Sequence, residues 1–168
     1  WLGAQRRKQG LGDGPIYLMG HSAGAHIAAM LTLDARWLEG AGVDRCATIA
    51  GAVGLAGPYD FLPLTDPRVM EIFGPGPAGA DTQPITHATS KAPPMLLIAG
   101  SADETVLPRN TVRLAARIRE VGGTAEERIL DGKGHVGLLL TLAPVVRNFS
   151  PVLDDIDRFL QAHPAPGC

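Results

Sequence analysis

Five consecutive residues, Gly20-His21-Ser22-Ala23-Gly24, restrict this chain more than any others. They follow the apolar run Pro15-Ile16-Tyr17-Leu18-Met19 and precede a helix-forming stretch from Ala25 to Leu33. A G-x-S-x-G between a strand and a helix puts its serine on a sharp, strained turn, with the hydroxyl exposed at the end of a sheet. Gly20 and Gly24 are expected to let strand and helix approach closely, since a side chain at either flank would clash. The first helical turn offers backbone N–H groups to an anion, so the Ala23 N–H is a candidate oxyanion donor. Outside that context the same residues would be a glycine-rich turn with a capping serine.

The rest of the chain alternates strand and helix patterns. Pro15 to Met19 is nearly all apolar, as a strand covered on both faces must be. The helix after it is expected from about Ser22 to Leu38, with Ile27, Met30, Leu31 and Leu38 near one face and small residues (Ala25, Ala28, Ala29) allowing close packing on a sheet. Gly40 and Gly42 end it. Ala47 to Leu55 reads as a second strand, with Cys46 entering it as a small hydrophobe. A third strand is expected at Pro94–Gly100 and a more polar fourth at Ala125–Leu130. A helix from about Pro108 to Val121, with Val112, Ala115, Ala116 and Ile118 as its stripe, lies between them. A last helix opens at Ser150-Pro151, and Trp1 to Gln9 reads as the end of an earlier one. Strands alternating with helices predict an α/β domain with a mostly parallel sheet and helices on both faces.

Residues 57–92 break the alternation. This segment is rich in proline and glycine, yet apolar, with one short helix expected near Asp66–Phe73. Its length suits a cap-like insertion or binding wall on a single domain spanning residues 1–168. Tyr59 and Phe61, with Leu62, Leu64, Met70 and Phe73, are candidates to line an apolar substrate pocket or to pack the segment down.

Composition narrows the function. A net charge of −2 leaves no electrostatic footprint for nucleic acid. No apolar stretch is long enough to span a membrane. Cys46 and Cys168 are too few and too far apart to announce a disulfide framework or a zinc site, and no histidine pair has the spacing of a metal site. No cofactor is called for, and the expected partner is a small-molecule ester. No targeting signal is legible, so a cytoplasmic location is the expectation. The chain opens at Trp1 in what reads as mid-helix, so more residues are expected ahead of it.

A serine is a poor nucleophile until a base takes its proton and an anion orients that base. Asp103 comes shortly after the third strand, and His135 after the fourth in the tight, glycine-flanked loop Asp131-Gly132-Lys133-Gly134-His135. The order Ser, Asp, His is the one a strand–turn–helix serine requires, and the ends of parallel strands are where such sheets place their sites. Glu104 competes with Asp103, but with a longer reach from the strand. Asp131 is expected to support its turn, and Asp60 follows one strand too early. His21 is expected to point away from Ser22, His26 to pack on its helix, and His87 to lie at the surface.

GHSAGAHIAAM from Gly20, GLAGPYDF from Gly54, LLIAGSADETVLP from Leu96 and GKGHVGLL from Gly132 resemble the carboxy-terminal part of α/β-hydrolases of the carboxylesterase, hormone-sensitive-lipase-like and arylformamidase-like group. The resemblance covers nearly the whole chain. It implies a partial α/β-hydrolase fold, a Ser22–Asp103–His135 triad and an oxyanion donor at Ala23. It also implies strands and an HGGG-type loop ahead of Trp1, with the second oxyanion donor outside this chain. Without those strands the edge at Ile16–Met19 would be unpaired and apolar, an aggregation hazard. The expected function is hydrolysis of carboxylic esters, of short acyl or aromatic type, through an acyl-enzyme on Ser22. An amidase, arylformamidase or peptidase of the same fold, or a non-catalytic binding module, are the alternatives.

Overall fold

The computed structural model describes residues 5, 8–10, 12, 14–74, 76–145 and 150–168 of the 168-residue chain. Its centre is a four-stranded sheet in the order β1 (Ile16–His21), β2 (Ile49–Leu55), β3 (Met95–Gly100), β4 (Ala125–Leu130). Every neighbouring pair is parallel, so each link between strands is a crossover. β2 and β3 are buried along their whole length, which is why their sequences are apolar without alternation.

Side chains from successive strand positions enter two separate cores. Ala52, Met95 and Leu97 pack against α1 (Ala23–Leu33) through Ala25, Ala29 and Leu33, and against α5 (Arg109–Glu120) through Leu114 and Ile118. Val53, Leu55, Leu96 and Ile98 pack on the opposite face against Leu138 of α6 (His135–Leu140) and Val152, Ile156 and Phe159 of α7 (Val152–Ala162). Helices therefore cover both faces, as the alternating pattern predicts. The described residues contain no helix long and apolar enough to cross a membrane.

Several local expectations change. The single helix expected to Leu38 is broken at Asp34, whose extended backbone ends α1 and whose carboxylate caps α2 (Ala35–Glu39) by accepting from the Arg36 N–H at 3.1 Å. Ile27 is 58% exposed, because the face of α1 that meets the sheet is Ala25, Ala29 and Leu33. On α5 the buried stripe is Asn110, Thr111, Leu114, Ala115 and Ile118, while Val112 is turned outward. A single turn, α3 (Arg45–Thr48), precedes β2 and carries Cys46, which is disulfide-bonded to Cys168. Cys46 is thus a tether and not a small hydrophobe within the strand. The 122-residue separation hid a pair that the fold makes adjacent. The helix expected over residues 1–9 lies largely outside the described residues. Within them the Gln9 N–H donates to the Gln5 carbonyl at 2.9 Å, and Gly10 follows at φ 66°.

Residues 57–92 hold the expected short helix, α4 (Pro67–Phe73), capped by Asp66, and two 3-10 turns at Gly76–Thr82 and Pro84–His87. Two buried amides pin the start of this segment. Asn110 Oδ1 accepts from the backbone N–H groups of Tyr59 and Asp60 at 2.9 and 2.8 Å, and Gln83 Oε1 accepts from Phe61 N–H at 2.8 Å.

Candidate active site

Ser22 stands between the last residue of β1 and the first of α1, at φ 55° and ψ −121°. A positive φ in a non-glycine residue is strained and persists only where its surroundings impose it. Here the Ser22 N–H donates to the Leu55 carbonyl at 2.9 Å, and its own carbonyl accepts from Ala25 and His26 at 3.0 and 3.1 Å. The turn is thereby tied to both the neighbouring strand and the helix. A Cβ on Gly20 would overlap the backbone of Gly24, so glycine is required at 20. A Cβ on Gly24 would meet nothing within 4 Å. The expectation that both glycines avoid a clash therefore holds for one: Gly24 contributes its backbone as the surface that Gly20 approaches.

Asp103 and His135 arrive from the ends of β3 and β4. Asp103 sits in the turn after β3 with its side chain wholly buried. Its Oδ1 accepts from Thr105 and Val106 N–H, both at 2.9 Å, which fixes the carboxylate plane. Its Oδ2 lies 2.8 Å from His135 Nδ1. His135 opens α6, and its Nε2 lies 2.9 Å from Ser22 Oγ, across 113 residues of chain. The loop before His135 is tied to the turn after β3: the Ala102 N–H donates to the Lys133 carbonyl at 3.0 Å and the Gly132 N–H to Ser101 Oγ at 2.9 Å. A side chain on Gly100 would overlap that same Lys133 carbonyl.

The competing acids are occupied elsewhere or turned away. Asp131 accepts from Ser101 Oγ at 3.0 Å, Asp60 pairs with Arg113 at 2.7 Å, and Glu104 is exposed. His21 is turned to the backbone of His135. Its Nε2 lies 3.1 Å from the His135 carbonyl, with the two rings 4.6 Å apart. His87 is half-buried, not superficial, with Nε2 2.8 Å from the Asp81 carbonyl.

A cavity of about 510 Å³ opens beside Ser22, bounded by Ala23, His26, Phe61, Phe73 and Val106. Phe61 lines it, as do Leu64 and Phe73, whereas Leu62 and Met70 are exposed. Tyr59 does not line it. Its ring is fully buried in the core against Gly54 and Gly57, where an added Cβ would overlap it. Those two glycines, in the stretch GLAGPYD, leave the slot that the ring fills, and burial raises the pKa of its hydroxyl. Asn110, Gln83 and His26 carry no sequence signal of their own, because lone polar residues on helices and turns read as surface.

His26 Nε2 lies 2.8 Å from the Thr82 carbonyl, and its ring meets Phe61 and Phe73 edge-on at 5.9 and 5.4 Å. Burial among these rings lowers its pKa, and the Thr82 contact opposes that only partly. The unfolded chain therefore binds more protons than the folded one near and below the ordinary value of about 6.5. Stability from this source is complete above that pH and is lost as pH falls through it, levelling off below the folded value. Urea midpoints are expected to drop between pH 7.5 and 5, and to drop less in His26→Gln. Equal drops in both proteins would show that His26 is not held neutral by burial.

The parallel sheet, the strand–turn–helix junction at Ser22 and the helices on both faces are those of an α/β-hydrolase fold. Residues 1–118 match the BD-FAE family, and the chain belongs to it. Isoprenylcysteine alpha-carbonyl methylesterase of Arabidopsis thaliana is 29% identical over 173 residues, covering 90% of this chain and 40% of that protein. A probable isoprenylcysteine alpha-carbonyl methylesterase of the same plant is 27% identical over 147 residues, covering 74% and 31%. The chain thus spans less than half the length of these curated relatives. Among solved structures, the apo form of Thermogutta terrifontis esterase 2 superposes with a TM-score of 0.67 at 22% identity, covering 90% of this chain and 57% of that one.

Proposed function

We propose that this chain carries the catalytic residues of a serine hydrolase acting on carboxylic esters. The observation that carries the reading is His135 bridging a strained, cavity-facing Ser22 and a buried Asp103, at 2.9 and 2.8 Å. In this reading His135 Nε2 takes the Ser22 Oγ proton as Oγ bonds to the ester carbonyl carbon. The Ala23 N–H receives the oxyanion, since the first N–H groups of a helix have no partner within it. The intermediate collapses, the carbon–alkoxy bond breaks, and His135 returns the proton to the leaving alkoxide. Water then bonds to the acyl carbon as it gives a proton to His135; the carbon–Oγ bond breaks, the acid leaves, and His135 returns the proton to Ser22 Oγ. Asp103 holds the imidazole with Nδ1–H toward itself and steadies the imidazolium. Segment 57–92 contributes the pocket wall through Phe61 and Phe73.

The names of the relatives agree with this chemistry. One is named a methylesterase and another a probable methylesterase, and Thermogutta terrifontis esterase 2 has been solved with propionate and with butyrate bound, and phosphonylated by sarin. The test is covalent labelling of the full chain with a fluorophosphonate, together with turnover of 4-nitrophenyl acetate and the matching anilide. The expected result is one adduct, mapped by mass spectrometry to Ser22, and hydrolysis of the ester well above the anilide. An adduct elsewhere would remove Ser22 as the nucleophile, and faster anilide turnover would make the protein an amidase.

A further inference from the structure

His26 and Phe73 are walls with two sides. One side faces the Ser22 pocket; the other faces a second cavity of about 530 Å³, bounded also by Ile27, Met30, Leu31 and Trp37. We infer that this second cavity takes the hydrocarbon arm of an ester whose carbonyl sits at Ser22. The inference rests on the ester-hydrolase reading and extends it to a substrate class.

Three observations carry it. The first is adjacency, since the two cavities share His26 and Phe73, whose rings meet edge-on at 5.4 Å and form a partition one side chain thick. The second is chemistry. The polar groups at this cavity already have partners: the Thr82 carbonyl faces His26 Nε2, the Thr82 hydroxyl donates to the Gly79 carbonyl, and Asp81 pairs with Arg36. Little is left for a polar ligand to bind. Ile27 and Trp37, by contrast, are each 58% exposed. Single exposed apolar residues are ordinary, but several converging on one hollow mark a binding surface. The third is distance. Ile27 and Leu31 follow Ser22 by five and nine residues, about 7.5 and 13 Å along a helix axis. An acetyl group bound at Ser22 stops short of this hollow, whereas a chain of ten carbons is long enough to reach it.

The test compares the full chain with Ile27→Gln and Phe73→Ala on three esters. 4-Nitrophenyl acetate has no arm, 4-nitrophenyl decanoate has one on the acyl side, and decyl acetate has one on the alkoxy side. Burying one methylene is worth about fourfold in binding. Ile27→Gln is expected to lower kcat/KM for one of the long esters at least tenfold more than for 4-nitrophenyl acetate. Phe73→Ala, which removes the partition, is expected to raise the same ratio. Whichever long ester responds assigns the side of the ester that enters. A separate readout needs no turnover: in Ser22→Ala, ethyl decanoate shifts Trp37 emission to shorter wavelength and ethyl acetate does not, and Trp37→Phe removes the shift. Short and long esters changing alike, or loss of folding without a change in chain-length ratio, would overturn the inference and make the hollow a packing surface. An emission shift without turnover of any ester would instead overturn the catalytic reading and leave the apolar site standing.

Discussion

Asp103→Asn is expected to lower kcat by about 10⁴-fold with KM little changed, the loss expected when a triad histidine is held in the wrong tautomer. The surroundings of Asp103 leave the amide no choice. Oδ1 accepts from two backbone N–H groups, Thr105 and Val106, so an asparagine must keep its oxygen there. Its NH₂ then replaces Oδ2, 2.8 Å from His135 Nδ1. A donor at that place makes Nδ1 the acceptor and puts the ring proton on Nε2, facing Ser22 Oγ. Nε2 can then no longer take the serine proton. The protein should fold normally, since size and hydrogen-bond count are kept. Stopped-flow turnover of 4-nitrophenyl acetate, beside a urea unfolding curve, checks both halves. A loss under tenfold in a folded protein would mean that Asp103 does not orient the base.

The second large effect is on folding. Gly20→Ala is expected to cost at least about 3 kcal/mol of stability, while Gly24→Ala costs nothing and gains about 0.5 kcal/mol. The asymmetry follows from where each new methyl group lands. At 20 it overlaps the Gly24 backbone, so β1 and α1 must separate, and with them the tethers that hold Ser22 at positive φ. At 24 it meets open space on a helix, where alanine is preferred over glycine. Equal losses at both positions, read as urea midpoints, would contradict the packing at the elbow.

Much of the architecture was legible because it repeats locally. The runs at Ile49–Leu55 and Met95–Gly100 are apolar at every position and buried throughout, as strands covered on both faces require, whereas Ile16–Met19, apolar in the same way, is an edge strand of the described sheet with Met19 48% exposed. The elbow was legible because its glycines and serine are consecutive. What failed locally failed for physical reasons. Ile27 and Val112 belong to apolar stripes by spacing, yet both face outward, because spacing shows that a face exists and not which face the sheet takes. The helix at His135 was missed because three glycines and an aspartate nearby read as a loop.

The sequence by itself determined the alternation of strands and helices and the order of Ser22, Asp103 and His135, since both are written in neighbouring residues and chain order. The tertiary structure alone decided what lies across long separations. It paired Cys46 with Cys168, buried Tyr59 over Gly54, turned His21 onto the His135 loop, and set His26 and Phe73 between two cavities. Each of these depends on how the crossovers pack, and side-chain contacts between distant segments leave no periodic trace in either segment.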